Sequence, residues 1–251
     1  MLKSVEVSGI VEALLNSTGA GPIAWRIFLL AGVFTVAGAA QRENVMSLYS
    51  NMAPLDQYLM PDRQTEISLA RSAAPAAISD HATILVLTPH GYDTAIEGNN
   101  GFTCMVERAW MSPVDNPEFW NPKNRSPICY NPPATRSIVP FTIKTTELVL
   151  MHLSKTQVFE RIQALVASHA LPTPEPGAMS YMMSKSGYLN DQVGQWHPHL
   201  MFHIPKTVPA SWGANLPGSP VLLDTTRRAQ PDTIFMVPVG NWSDGTSAAV
   251  P

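Results

Sequence analysis

The chain has 251 residues, 45% of them hydrophobic and 14% charged, with a formal net charge of −3. That apolar share excludes an extended disordered chain, which combines few apolar residues with high net charge. The slightly acidic balance, with no run of Lys or Arg, argues against non-specific nucleic-acid binding, and a small molecule is one partner the chain could take. The 23 prolines fall between apolar runs and read as loop punctuation, and the length suits one domain or two small ones.

Residues 27–36 are an apolar run preceded by Arg26 and followed by Ala37, Gly38, Ala39, Ala40 and Gln41. A basic residue, a short apolar core and a small-residue cleavage site are the layout of a secretory signal peptide. The core is shorter than the roughly 20 apolar residues that span a bilayer. The expectation is a signal over residues 1–40, with 1–25 an over-long start. Residues 41–251 then form a single domain, exported to the periplasm or the medium, with no stable membrane span after cleavage. Both cysteines, Cys104 and Cys129, lie in that domain. An even count in an exported chain predicts a disulfide, worth about 3 kcal/mol for a loop of this size.

Val45, Leu48, Met52, Leu55 and Leu59 recur at helical spacing over residues 41–60, although Pro54 interrupts them. A second helix is predicted over 62–74, with Asp62 as N-cap and Pro75 as the stop. The period then changes. Residues 83–87 are β-rich and apolar and read as a buried strand. Residues 92–97 and 102–110 flank Gly98-Asn99-Asn100-Gly101, and Asn-Gly is the favoured pair where φ must be positive. Together these segments predict an antiparallel three-strand meander over 82–110.

Residues 111–140 hold seven prolines and read as a long excursion with little regular structure, tied to the meander by Cys129. Residues 147–153 fit a strand or a helical turn, with the strand favoured. Ser154 and Gln157 have capping-box spacing, with Leu153 and Val158 placed as the hydrophobic staple, so a helix should run to about residue 169. Residues 171–177 form a proline-rich linker. Strands are expected at 179–184, 199–204, 220–224 and 233–239. Runs of strands with a few flanking helices, without βαβα alternation, predict an α+β fold with a mainly antiparallel sheet.

Three of the seven histidines stand in the segment Trp196-His197-Pro198-His199-Leu200-Met201-Phe202-His203. On a strand, side chains two residues apart share a face about 6.6 Å apart. His197 and His199 are therefore candidate ligands of one metal ion, and His90 or Glu107 is a candidate to complete the shell. Glu97 and Asp191 are further donors within the same expectation. Imidazoles with a carboxylate suit Zn, Cu or Fe, and an open position on the ion would activate water. His203 has the same parity but lies roughly 13 Å beyond His199. Glu107 is also the candidate catalytic carboxylate, paired with Glu97 across the expected hairpin. An exposed ion pair with Arg108 is the plainer reading of that glutamate. A second function is non-catalytic binding of a small ligand in the cell envelope, with Trp196 and Trp212 as walls. A third is a structural domain without a site. No GxSxG, HExxH, P-loop or GxGxxG motif is present, which removes the nucleophile-elbow, zincin and nucleotide-cradle readings.

Overall fold

In a computed structural model of the chain, residues 49–205, 207–223 and 232–248 are described. The segment expected as a signal lies outside them, as does the first part of the helix expected over 41–60. From residue 49 onward that stretch forms only a 3-10 turn, Leu55–Gln57, because Pro54 adopts an extended backbone and has no N–H to continue a helix.

The fold is α+β, with a mostly antiparallel sheet of eight strands: β1 (Thr83–Thr88), β2 (Gly91–Ile96), β3 (Thr103–Glu107), β4 (Ser126–Tyr130), β5 (Met179–Met182), β6 (His199–Pro205), β7 (Leu222–Leu223) and β8 (Asp232–Pro238). Their order is β2-β1-β3-β4-β5-β6-β8-β7. Among the described residues the helices are α1 (Arg63–Arg71), α2 (Ala76–Ser79), α3 (Pro132–Ser137), α4 (Val139–Leu150) and α5 (Lys155–Ala167).

The expected meander is not formed. The hairpin turn is Pro89-His90, which joins β1 to β2, and β3 crosses to the other side of β1 and pairs with it in parallel. The Gly-Asn-Asn-Gly segment makes this crossing instead of a hairpin turn. It runs so close to the start of β1 that a Cβ at Gly98 would sit 2.2 Å from the Thr83 nitrogen. Asn99 N–H donates to the His81 carbonyl at 2.9 Å, and Thr83 N–H to the Phe102 carbonyl at 2.9 Å. Glycine is needed here for close backbone approach rather than for strand reversal.

The proline-rich stretch also divides differently. Residues 112–125 are a loop, but β4, α3 and the start of α4 follow within the region expected to be irregular. Pro127 is tolerated inside β4 because β5 pairs only with Cys129 and Tyr130, leaving the proline outside that ladder. Pro132 opens α3, where a missing N–H costs nothing, after Asn131 caps Ala134 N–H at 3.0 Å. Residues 147–150 end α4 rather than forming a strand. Thr142, Thr145 and Thr146 of this helix pack into the core, and Thr145 returns its hydroxyl to the Phe141 carbonyl at 2.9 Å. Elsewhere local chemistry is followed closely. Asp62 caps Thr65 N–H at 2.8 Å, and the Ser154–Gln157 capping box starts α5.

Cys104 and Cys129 stand directly opposite each other in the β3–β4 ladder, fully buried and joined as a disulfide. The bridge therefore links two central strands instead of tying down a loop. On its side of the sheet, Ile67 and Ala70 of α1 pack against Ile84, Val86, Cys104 and Val106. Also on that side, Arg108 is buried and donates to Glu66 Oε1 at 2.9 Å and to the Tyr58 carbonyl at 2.8 Å, while Glu66 Oε1 accepts Leu87 N–H at 3.0 Å. On the opposite face Ala134, Ile138 and Val139 of α3 and α4 cover Leu85, Met105, Ile128 and Tyr130. The half of the sheet from β2 to β4 is thus enclosed by helices on both faces. Among the described residues no α-helix closes the β6–β8 half in the same way; loops do.

Candidate functional site

Those loops enclose a cleft of about 560 Å³. Its floor is the continuation of the α3–α4 face of the sheet: Glu107, Ser126, Met182, His199, Met201 and Met236. Ser112, Pro113, Asn116 and Asn124 of the proline-rich loop form one wall. Leu189, Asn190 and Trp196 form a second, and Asn215 with Leu222 a third. The volume lies within the range of pockets for small organic molecules, roughly 300–1,000 Å³.

The first two walls are fastened together. Arg125 and Tyr188 exchange backbone hydrogen bonds at 2.7 Å in both directions. Asn124 Nδ2 donates to the Leu189 carbonyl at 2.6 Å. Asp191 receives Lys123 Nζ at 2.7 Å, the Tyr49 hydroxyl at 2.6 Å and the Tyr188 hydroxyl, while its own N–H donates to Glu118 at 3.0 Å. Partial burial opposes ionisation of Asp191, but Lys123 and the two tyrosines outweigh it and hold the carboxyl well below the usual range.

At the floor, His199 is 4% exposed and its ring lies 5.3 Å from that of Trp196. Nδ1 is 2.8 Å from the His197 carbonyl, an acceptor, so Nδ1 carries the proton. Burial, acting against that hydrogen bond, holds the His199 pKa below the ordinary histidine value. The ring is neutral at pH 7 and its Nε2 is a lone-pair acceptor. Glu107 lies three strands away on the same face, about 14 Å between backbones. Its Oε1 accepts the Tyr130 hydroxyl at 2.5 Å and the Thr142 hydroxyl at 3.2 Å. Burial, and then the charge of Glu107 itself, push the Tyr130 pKa well up, so the phenol stays a donor.

Of the residues singled out from sequence, the cleft brings together Glu107, His199 and Trp196. The others are elsewhere. The ring of His197 is 6.4 Å from that of Trp242, so the two histidines expected to share an ion have different neighbours. His90 sits in the β1–β2 turn, four strand steps from β6, about 19 Å across the sheet. Among the described residues no group of three or more His, Cys, Asp or Glu is placed to hold one metal ion. Glu97 follows the edge strand β2 and does not oppose Glu107, because the hairpin that would have paired them is absent. Arg108 points to the other face and serves Glu66 rather than Glu107. Trp212 stacks on Phe235 at 4.5 Å between centroids, on the face opposite Trp196, so the two tryptophans do not wall one pocket.

A second polar cluster is not expected from sequence, where His203 stands out only as one of three clustered histidines. His203 lies between Asp232, 2.9 Å from Nδ1, and Ser180, 3.0 Å from Nε2. The three residues come from β6, β8 and β5, which adjoin only in the folded sheet.

Among the described residues no helix is long and apolar enough to cross a membrane. No family model, curated protein or solved structure matches the chain.

Proposed function

We propose that this chain is an exported protein that binds a small, partly apolar organic molecule in the cleft over β3–β8. One observation carries the reading: a ligand-sized cavity whose floor includes three methionines, with Glu107 and His199 among its titratable lining groups. Flexible thioether side chains fit ligands of varied shape. Neutral His199 supplies an acceptor, and Trp196, 40% exposed at the rim, supplies a flat apolar surface. The fully buried disulfide accords with an oxidising compartment. The metal-dependent reading, with Zn, Cu or Fe on His197, His199 and His90, gains no such support, since these rings face different surroundings.

The test is titration of the purified protein with N-phenylnaphthylamine, a neutral apolar fluorophore. The expected result is saturable one-to-one binding with energy transfer from Trp196. Met201→Trp, which fills the floor, should abolish it while leaving the melting temperature within a few degrees. Absence of saturable binding in the wild type, or undiminished binding in Met201→Trp, would refute the cleft as the site.

A further inference from the structure

The Ser180, His203 and Asp232 cluster lies one row of side chains beyond the cleft floor. The Asp232 carboxylate can only accept, so His203 Nδ1 carries the proton. In the neutral ring Nε2 is then an acceptor, and the Ser180 hydroxyl donates to it across 3.0 Å. That donor order, hydroxyl to imidazole to carboxylate, is the one that activates a serine nucleophile. All three groups are withdrawn from water: Ser180 is 0% and His203 3% exposed, and the Asp232 side chain 1%. The Tyr130 ring, 6.0 Å from that of His203, closes one side.

Joining strands does not require this trio. Apolar side chains of similar size would hold β5, β6 and β8 together without burying a carboxylate. Oδ1 of Asp232 has no hydrogen-bond partner among the described residues, an added cost that a purely structural network avoids. The cluster also adjoins the cleft. Met201 is the register partner of Ser180, and Met182 lies two residues along the same strand; both form the floor. Access from the cavity to Oγ therefore requires these flexible side chains to rotate aside.

We infer that Ser180 is a nucleophile for acyl transfer from small carboxylic esters, with His203 as general base and Asp232 as the positioning residue. The inference rests on the cleft reading, because the ester reaches Ser180 from that cavity. Oγ forms a bond to the acyl carbon as the ester C–O bond breaks. The Oγ proton passes to His203 Nε2 and then to the departing alkoxide. Water, deprotonated by the same nitrogen, hydrolyses the acyl-serine and restores the hydroxyl.

The experiment treats the whole protein with p-nitrophenyl acetate and, separately, with a small alkyl fluorophosphonate, following p-nitrophenol release and intact mass. The expected results are one covalent adduct, mapped to Ser180 and absent in Ser180→Ala. Adduct formation should slow at least tenfold in His203→Gln and in Asp232→Asn, and quicken in Met201→Ala. Each variant is accepted only if its circular dichroism matches the wild type, and Ser180→Cys, alkylated by iodoacetamide, gives a second measure of activation by His203. No adduct in either the wild type or Met201→Ala would overturn the inference and assign the trio to strand anchoring. So would an adduct that survives Ser180→Ala, or one whose rate ignores His203→Gln. Dye binding without acylation leaves the cleft standing and removes the nucleophile. Acylation of Ser180 that N-phenylnaphthylamine does not slow leaves the nucleophile and removes the cleft as its substrate site.

Discussion

The two halves of the sheet are built from the same kind of strand but are finished differently. In β3 and β4 every residue is buried, between α1 on one face and α3–α4 on the other. In β6 and β8 only His199, His203, Ile234 and Phe235 are buried and the other positions are half-exposed or exposed, and loops rich in Asn and Pro stand over them. Helices present continuous apolar stripes and close a face to native density. Loops keep polar backbone and side chains near the surface, and leave room beneath them. The first half is therefore read as the part that keeps the fold, and the second as the part that uses it.

The sharpest way to break this contrast is Arg108→Met. It leaves Glu66 buried with its guanidinium partner gone and the Tyr58 carbonyl without its donor. Urea unfolding should show a loss of about 3–5 kcal/mol. Next, replacing Cys104 and Cys129 together by Ala should cost about 3 kcal/mol, read in the same assay. In the cleft half, Met201→Trp should cost under about 1.5 kcal/mol, because the new ring enters empty space, yet eliminate dye binding. If that change destabilises as much as Arg108→Met, the cleft is core and the contrast fails.

Two smaller effects sharpen the comparison. His199 has a folded-state pKa held below its unfolded value, so the unfolded chain binds the extra proton first. Its contribution to stability is complete above the unfolded value, near pH 6.5, and is lost as pH falls from there through the folded value. The melting temperature of the wild type should drop between pH 7 and 5 more steeply than that of His199→Gln. The smallest change in stability is expected for Asp191→Asn at the wall clamp, under about 1 kcal/mol for so exposed an ion pair. Its readout is limited proteolysis, with faster cleavage in the 184–195 wall and unchanged cutting near β3 and β4.

Legibility from sequence follows the same division. Asp62, Ser154 and Gln157 announced their helix starts because capping is settled within four residues. The runs that became β5, β6 and β8 carried their own β-propensity, and the cysteine pair followed from an even count together with the expectation of export. The pairing of β1 with β3, the α4 helix and the strand within the proline-rich stretch were misread. In each, packing overrode a local signal: Asn-Gly served a crossover, residues 147–150 continued a helix with a buried face, and Pro127 joined the β3–β4 ladder while staying outside the β4–β5 one.

Of the candidate site, Glu107 and His199 were visible as chemistry-bearing side chains, though assigned to a metal shell that the described residues do not assemble, and Trp196 was visible as a wall of a ligand pocket. Ser180 and Asp232 were invisible, since nothing near either residue marks it.

Taken by itself, the order of residues determined the helix caps, the strands with apolar runs and the cysteine pairing, all decided by short-range hydrogen bonding and side-chain period. Only the tertiary structure decided strand order and which face each side chain meets. Cleft and polar trio both arise from residues tens of positions apart, and their proximity is set by long-range pairing energies that no local window contains.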